Sequence, residues 1–484
     1  MYCIKKALKC EQLLTLIKRS NNVSTMKLTQ TINNMPRPRT LPLIGTKLDF
    51  FIAGSGKMLH EYIDLRHKQL GPIFCEKLNG NLPLVFVSNP MTMRTLFLNL
   101  EGKYPTHILP EPWVLYEKIY GSKRGLFFMN GEEWAKNRTI MNKLVLKDDS
   151  EKWLETPIKQ TIDNFIEQWK AKSKNGCFIP DLESDFYRLS TEVIISILLG
   201  ANGLIVRGKY FEELLGLFSE NVKKIFQNTT KLYGLPVALC QYFDLKIWKD
   251  FENSVNSSVA IAQKIVQEIL NKHHKSTGLV RKLTEENVPD EDIKRIVSDF
   301  VIAAGDTTAY TTLWILFLLS KNDAERNDIR GKDKTYIKNV IKESMRLYPV
   351  APFLTRILPK QSILESYFLN SGTPIIASIY TSGRDEQNFS KANMFLPYRW
   401  DRSDPRKKEL INHVPSASMP FALGARSCIG KKIAMLQLTE VIYQIVNNFE
   451  FTCSNGDDIK AVTSQVLVPD KDIKLVVSTL ENKI

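Results

Sequence analysis

The residues best suited to chemistry lie in one short loop, Phe421-Ala-Leu-Gly424-Ala425-Arg426-Ser-Cys428-Ile-Gly430. A lone cysteine there stands between glycines, follows an arginine and precedes a helical run. Such a loop suits a thiolate held against a flat iron cofactor. Gly424 allows a tight turn and close backbone approach, and Gly430 removes a side chain where the next helix must pass. The pattern of residues 431–449 predicts an amphipathic helix, which sets Cys428 near a helix N-terminus, where partial positive charge and free N–H groups favour a sulfur anion. As a haem ligand, a thiolate donates electron density that favours O–O cleavage; Arg426 is placed to pair with a haem propionate. An isolated Cys-x-Gly would read as a turn with a buried free cysteine, but Phe, Gly, Arg, Cys and Gly at these spacings favour the haem ligand.

The other reactive residues sit on predicted helices. A long apolar helix is expected from near Asp290, an N-cap after Pro289 with Glu291 and Asp292 in its first turn, to about Ser320. About thirty residues at 1.5 Å each span about 45 Å, enough to cross a domain and pass over a haem face. In its middle, Ala303-Ala304-Gly305-Asp306-Thr307-Thr308 sets a carboxylate and two hydroxyls in an apolar run. They are costly there unless bonded or functional. Threonine can also bond back to the carbonyl one turn earlier and open room for water or oxygen. A polar stripe facing solvent or a neighbouring helix is the plain alternative. Glu343 and Arg346 share a helix face and can pair, although most such pairs are solvated and contribute at most about 1 kcal/mol. Trp134 and Arg138, four apart, also share a face.

Taken in order, these motifs resemble the cytochrome P-450 family of haem-thiolate monooxygenases. Ala425 stands where that family often has proline. The resemblance covers nearly the whole chain from Met35 and implies the P-450 fold with haem b ligated by Cys428. It implies Phe421, Arg426, Gly430, Trp134, Arg138 and the strand arginine Arg356 as cofactor-binding residues. Asp306 and Thr307 become the acid-alcohol pair that delivers protons during oxygen activation. Glu343 and Arg346, with Arg399 from Phe395-Leu-Pro397-Tyr-Arg399-Trp400, become a structural cluster beside the haem loop. About thirty-five residues separate Thr308 from Glu343, fewer than the family's usual connection, so a trimmed loop or a missing helix is expected there.

No Gly/Ser-rich or Pro-rich linker divides the 484 residues after the first forty, so the chain reads as one large domain, mainly α with small β-sheets. Helical patterns occupy 185–199, 255–273 and 334–347; strand signals occupy 84–87, 373–377, 450–453 and 473–477. The seven cysteines form no Cys-x-x-Cys pair or disulfide framework, and the six histidines show no zinc spacing. Iron on Cys428 is the only metal expected. Residues 1–34 carry Lys5, Lys6, Lys9, Lys18, Arg19 and Lys27 against Glu11, with Ile4, Ala7, Leu8, Leu14 and Ile17 at helical spacing. That pattern reads as a mitochondrial transit peptide, and no apolar run there is long enough to span a membrane. Residues 35–46 resemble the family's proline-rich hinge, leaving 47–484 as the monooxygenase domain.

The net charge is +14, about half of it in the first forty residues. The remainder reads either as solvated lysines or as a docking patch. Lys338 and Lys342 are one turn apart, and Lys431 and Lys432 follow the cysteine loop. The resemblance makes them docking residues for an acidic mitochondrial ferredoxin that brings electrons from NADPH through a reductase, in an enzyme peripheral to the matrix side of the inner membrane. No basic run with interleaved aromatics suggests nucleic acid. Segments 60–74, 102–113 and 124–134 resemble the insect ecdysteroid 2-hydroxylases, which implies hydroxylation of 2-deoxyecdysone to ecdysone. Substrate contacts are expected from 104–129, 199–242, the helix face before Asp306, 350–354 and 466–468, apolar stretches with scattered polar groups. Another mitochondrial sterol or ecdysteroid hydroxylase would share every core motif, whereas a haem-binding sensor could dispense with Asp306 and Thr307.

Overall fold

The structure is a computed structural model that describes residues 30–41, 44–78, 82–121, 124–174, 176–200, 209–271, 277–330 and 333–480. Most of the expected transit peptide lies outside these residues.

The helices that position the site are α1 (Gly131–Met141), α2 (Ser150–Ser173), α3 (Leu182–Leu199), α4 (Lys209–Lys231), α5 (Asp290–Ser320), α6 (Asp323–Arg330), α7 (Lys334–Leu347) and α8 (Lys431–Asn448). The strands of the two sheets used below are β1 (Ile73–Glu76), β2 (Leu84–Val87), β3 (Phe353–Ile357), β4 (Pro374–Ser378), β5 (Phe449–Cys453) and β6 (Leu475–Thr479). Helix dominates and the sheets are small, as the sequence pattern predicts. Strands β1 to β4 form one sheet in the order β1-β2-β4-β3; β2 and β4 run parallel with Val85 opposite Ile375, and β3 pairs antiparallel with Arg356 opposite Ile375. Strands β5 and β6 form an antiparallel pair with Phe451 opposite Val477.

Helix α5 is the axis of the core. Asp290 is its first helical residue rather than its cap, with Pro289 before it and Asp290, Glu291 and Asp292 in a first turn that suits the helix dipole. Its second half, Leu313 to Leu319, is buried throughout. It is long and apolar enough to cross a membrane but mostly buried inside the protein, which is the property of a central core helix. Its tightest neighbour is α3: a Cβ added at Gly305 would come within 2.5 Å of the Tyr187 ring, so this glycine sets the approach of the two helices.

Among the described residues, the short connection after α5 holds α6 alone, which packs onto the C-terminal strands through arginine. Arg326 donates to the Phe451 carbonyl (2.8 Å) and Glu450 (2.6 Å), and Arg330 donates to Glu450 (2.7 Å) and the Val446 carbonyl (2.9 Å). Residues 35–41 of the hinge lie against the sheet, where the Cys75 N–H donates to the Pro36 carbonyl (2.9 Å).

Candidate functional site

Cys428 is exposed at the end of a loop cinched by its own backbone, its N–H donating to the Phe421 carbonyl (2.8 Å). Gly424 has φ +79°, and a Cβ there would come within 2.2 Å of the Phe97 carbonyl and 2.3 Å of Glu101 Oε1. The close approach this glycine permits is thus to the Phe97–Glu101 segment, not directly to a cofactor. At Gly430 an added Cβ would touch only Cys428 Sγ, at 3.8 Å. The expected crowding by the next helix is absent, and the glycine keeps bulk away from the sulfur. Ala425 uses what proline would lack: its N–H donates to Glu101 Oε1 (2.6 Å).

Although the Cys428 side chain is open on one side, the protein packed around the rest of the loop takes water from the thiol and pushes its pKa up, opposed by hydrogen bonds from the Gly430 and Lys431 N–H groups and by the charge of Arg138. The helix N-terminus therefore acts as expected but does not win alone. A coordinating metal is what deprotonates a thiol outright.

A cationic cluster surrounds this loop. From α1, Arg138 donates to the Ser427 carbonyl (2.7 Å), while its buried Nε has no partner. Arg426 lies over the Trp134 ring at 4.4 Å and donates to the carbonyls of Pro105 (2.8 Å), Phe127 (3.2 Å) and Met129 (2.6 Å). Buried Arg356, on β3, pairs with Glu101 (2.7 Å) and stacks on Phe97 at 4.8 Å. Burial, then Arg356 and Arg138, lower the Arg426 pKa to about 10, with Glu101 opposing. Of these three guanidinium groups Arg356 pairs with Glu101 and Arg426 feels its charge, while Arg138 pairs with no carboxylate among the described residues, an arrangement that invites further anions. The two propionates of haem, beside an accessible thiol cradled by N–H groups, fit this donor set. Residues 421–430 with Trp134, Arg138 and Arg356 are the ones that would hold the cofactor.

Sequence reasoning passed over two members of this cluster. Glu101 ties Arg356 to the cysteine loop, and His107, ring to ring with Phe127 at 4.4 Å, has an unpartnered buried Nε2. Burial, then Arg426 and Arg356, push the His107 pKa down to about 3, so its ring is neutral at physiological pH. Neither has a sequence motif; only the fold brings them near Arg426.

Between Ile296 and Leu319 on α5, Ala303 is the one exposed residue, and Thr307, one turn on, is partly exposed. The Thr307 hydroxyl donates back to the Ala303 carbonyl (2.9 Å). Asp306 points elsewhere: it is 2 % exposed, and its Oδ2 has no partner. Burial, then the charge of Glu183, hold its carboxyl well above the usual range, with Lys223 opposing. It borders a cavity of about 420 Å³ whose walls include Glu183, Lys223, Tyr310, Asp472 and Lys474. There Tyr310 donates to Glu183 (2.7 Å), and Lys223 pairs with the same carboxylate (2.7 Å).

Glu343, Arg346 and Arg399 meet in the interior. Glu343 accepts from Arg346 Nε (2.9 Å) and Nη2 (2.7 Å), Arg399 Nε (2.9 Å), the Leu396 N–H (2.9 Å) and Trp400 Nε1 (2.9 Å). Burial pushes its carboxyl up, but the hydrogen bonds and charges of the two arginines outweigh burial and hold it below the usual range. On the surface, Lys342 has its pKa lowered by burial and then by Lys338 and Lys431, so these three lysines share one field. Lys432 is turned inward, its ammonium bonded to the Lys147 carbonyl and to Ser150 Oγ (3.2 Å).

A model of the cytochrome P450 family matches residues 35–477. The chain is 37% identical over 464 residues to the Drosophila melanogaster protein named cytochrome P450 315a1, mitochondrial, covering 91% of this chain and 88% of the relative. It is 27% identical over 467 residues to the mitochondrial 1,25-dihydroxyvitamin D(3) 24-hydroxylase of Rattus norvegicus, covering 92% and 89%. To the mitochondrial cholesterol side-chain cleavage enzyme of Ovis aries it is 26% identical over 450 residues, covering 87% and 85%.

Proposed function

This chain belongs to the cytochrome P450 family as a haem-thiolate monooxygenase of the mitochondrial class; from that premise we propose that it inserts one atom of O2 into carbon 2 of 2-deoxyecdysone, giving ecdysone. The observation that carries the reaction type is the open face of α5 at Ala303 and Thr307, set in an otherwise buried helix with an unpartnered Asp306 behind it. Residues 60–74, 102–113 and 124–134, which resemble the Shadow-type ecdysteroid 2-hydroxylases, support the substrate, as does 37% identity to an insect mitochondrial member of the family.

Bound haem supplies oxygen activation and attack on the C–H bond. The chain's own residues supply protons and order. Asp306 holds a proton because burial and Glu183 disfavour its anion. The cavity beside Glu183 and Lys223 has Asp306 in its wall, which puts a polar space next to that buried carboxyl. The Thr307 hydroxyl, whose own proton is donated to the Ala303 carbonyl, presents its oxygen on the open face as an acceptor and passes a proton on only by giving up that bond. The apolar residues of the segments expected to contact substrate are the ones that would exclude bulk water and hold a flat steroid. A sensor would have no use for an unpartnered buried acid beside a polar cavity.

Electrons from NADPH arrive through a reductase and an acidic ferredoxin, which docks on Lys338, Lys342 and Lys431. The inward turn of Lys432 removes it from that surface. The membrane-facing surface is apolar. The helix Lys47–Ile52 packs on the turn at Gly234, where a Cβ would lie 3.4 Å from Phe51, and it exposes Phe51 and Ile52; the adjoining segment exposes Leu239, Tyr242 and Phe243. Such a patch suits peripheral attachment to the inner membrane on its matrix side.

The substrate is tested by titrating purified haem-loaded protein with deoxyecdysteroids, cholesterol and a vitamin D sterol while following the haem spectrum. Tight saturable shifts with 2-deoxyecdysteroids alone are expected. A preference for cholesterol or the vitamin D sterol would transfer the enzyme to a different steroid hydroxylase activity.

A further inference from the structure

Segment 124–129 is gripped from two sides at one residue. The Phe127 N–H donates to Asp299 Oδ2 on α5 (3.2 Å), and the Phe127 carbonyl accepts from Arg426 Nη1 of the cysteine loop (3.2 Å). Beside it, Arg295 donates through Nε (3.0 Å) and Nη2 (2.8 Å) to the Arg124 carbonyl. Asp299 also pairs with Arg124 (3.5 Å), whose guanidinium lies 4.4 Å from the Trp113 ring and 4.5 Å from that of Phe128. The contact is so close that only glycine fits at position 125, where a Cβ would come within 2.3 Å of the Arg295 carbonyl and 2.7 Å of Asp299 Cγ.

Between these anchors Phe127 is 55% exposed, its ring against those of His107 (4.4 Å) and Phe128 (5.2 Å), although Leu126 and Met129 are buried. A backbone fixed at both its N–H and its C=O cannot withdraw its side chain, so the ring is presented. Asp299 stands one turn before Ala303 and two before Thr307, on the same face of α5. Its oxygens are taken up by Phe127 and Arg124, so it has no direct bond to offer a ligand.

We propose that Asp299 is a positioning residue for substrate recognition: with Arg426 it fixes Phe127 so that the ring forms a rigid apolar wall of the substrate site. The proposal rests on the steroid reading above and deepens it. A rigid aromatic wall favours a flat, fused-ring ligand over a flexible chain, because the protein surrenders little side-chain entropy on binding. Arg426 belongs to both the wall and the cofactor loop, so the two share one anchor.

The test uses the haem-loaded full chain with Asp299→Ala, Asp299→Asn and Phe127→Ala, read by hydrogen exchange across 124–129, the carbon monoxide difference spectrum of thiolate-bound haem, and steroid Kd, KM and kcat. Asp299→Ala should speed exchange in 124–129 and raise Kd and KM about tenfold, with kcat within about twofold and the carbon monoxide spectrum unchanged. Asp299→Asn keeps an acceptor for the Phe127 N–H and should recover most of the affinity. Phe127→Ala should weaken binding without speeding exchange. Unchanged exchange in Asp299→Ala, or a loss of kcat with KM untouched, would overturn the proposal. If Asp299→Ala fails to load haem, the contrast between Asp299→Asn and Phe127→Ala decides. A wild-type protein with a normal carbon monoxide spectrum and no steroid shift would sink the steroid reading alone, the exchange result still deciding the role of Asp299.

Discussion

Asp306 combines three features that rarely coexist: it is buried, it has an unpartnered oxygen, and it stands near the negative Glu183. An acid harder to ionise in the folded than in the unfolded chain binds more protons when folded. Its contribution therefore turns against stability as pH rises past the unfolded aspartate value of about 3.9. Asp306→Asn removes that term, so thermal unfolding across pH 5 to 8 should show the variant gaining on the wild type as pH rises, by about 1–3 kcal/mol at the upper end. The same substitution removes a proton donor and should lower turnover about 10²-fold. A variant with wild-type turnover, or one that loses stability relative to wild type as pH rises, would contradict this account of the residue.

At the scale of elements, the Glu343 cluster joins α7 to residues 390–400, which lead toward the cysteine loop. Five donors on one buried carboxylate form a network in which each member is satisfied only if all are present. Glu343→Gln should cost about 3–5 kcal/mol and lower the haem content of purified protein before altering the chemistry of the fraction that loads. Normal haem content would refute it. How far the sequence reveals these elements follows from how local each signal is. The ends of α5, α7 and α8 are legible because capping, charge and apolar period all sit within the helix. The pairing of Glu343 with Arg346 is legible from spacing, but the need for Leu396 and Trp400 as further donors is not. Glu101, His107, Glu183 and Asp299 carry no local pattern: each acquires its place only when distant segments meet. Gly424 and Gly430 were legible as necessary, yet for other reasons than the ones the fold supplies. Helix α6, in the short connection, gave no cue that its arginines would bind β5.

Across the whole molecule, charge and apolar surface mark two faces for two partners. Burial, and then the charges of Lys338 and Lys431, depress the Lys342 pKa, and a negative partner relieves the repulsive part. Lys338→Glu with Lys342→Glu should raise the KM for ferredoxin at least about tenfold and flatten the salt dependence of turnover, with steroid binding intact. An unchanged KM would move docking elsewhere on the surface. The central claim is the chemistry that these faces serve. The most direct measurement is turnover of 2-deoxyecdysone by the purified chain with ferredoxin, reductase, NADPH and isotopically heavy dioxygen, with the product located by mass spectrometry and NMR. One heavy oxygen atom is expected, in a new hydroxyl at carbon 2. A heavy hydroxyl at another carbon would contradict the assigned substrate chemistry, and a product carrying oxygen only from water would contradict monooxygenation itself.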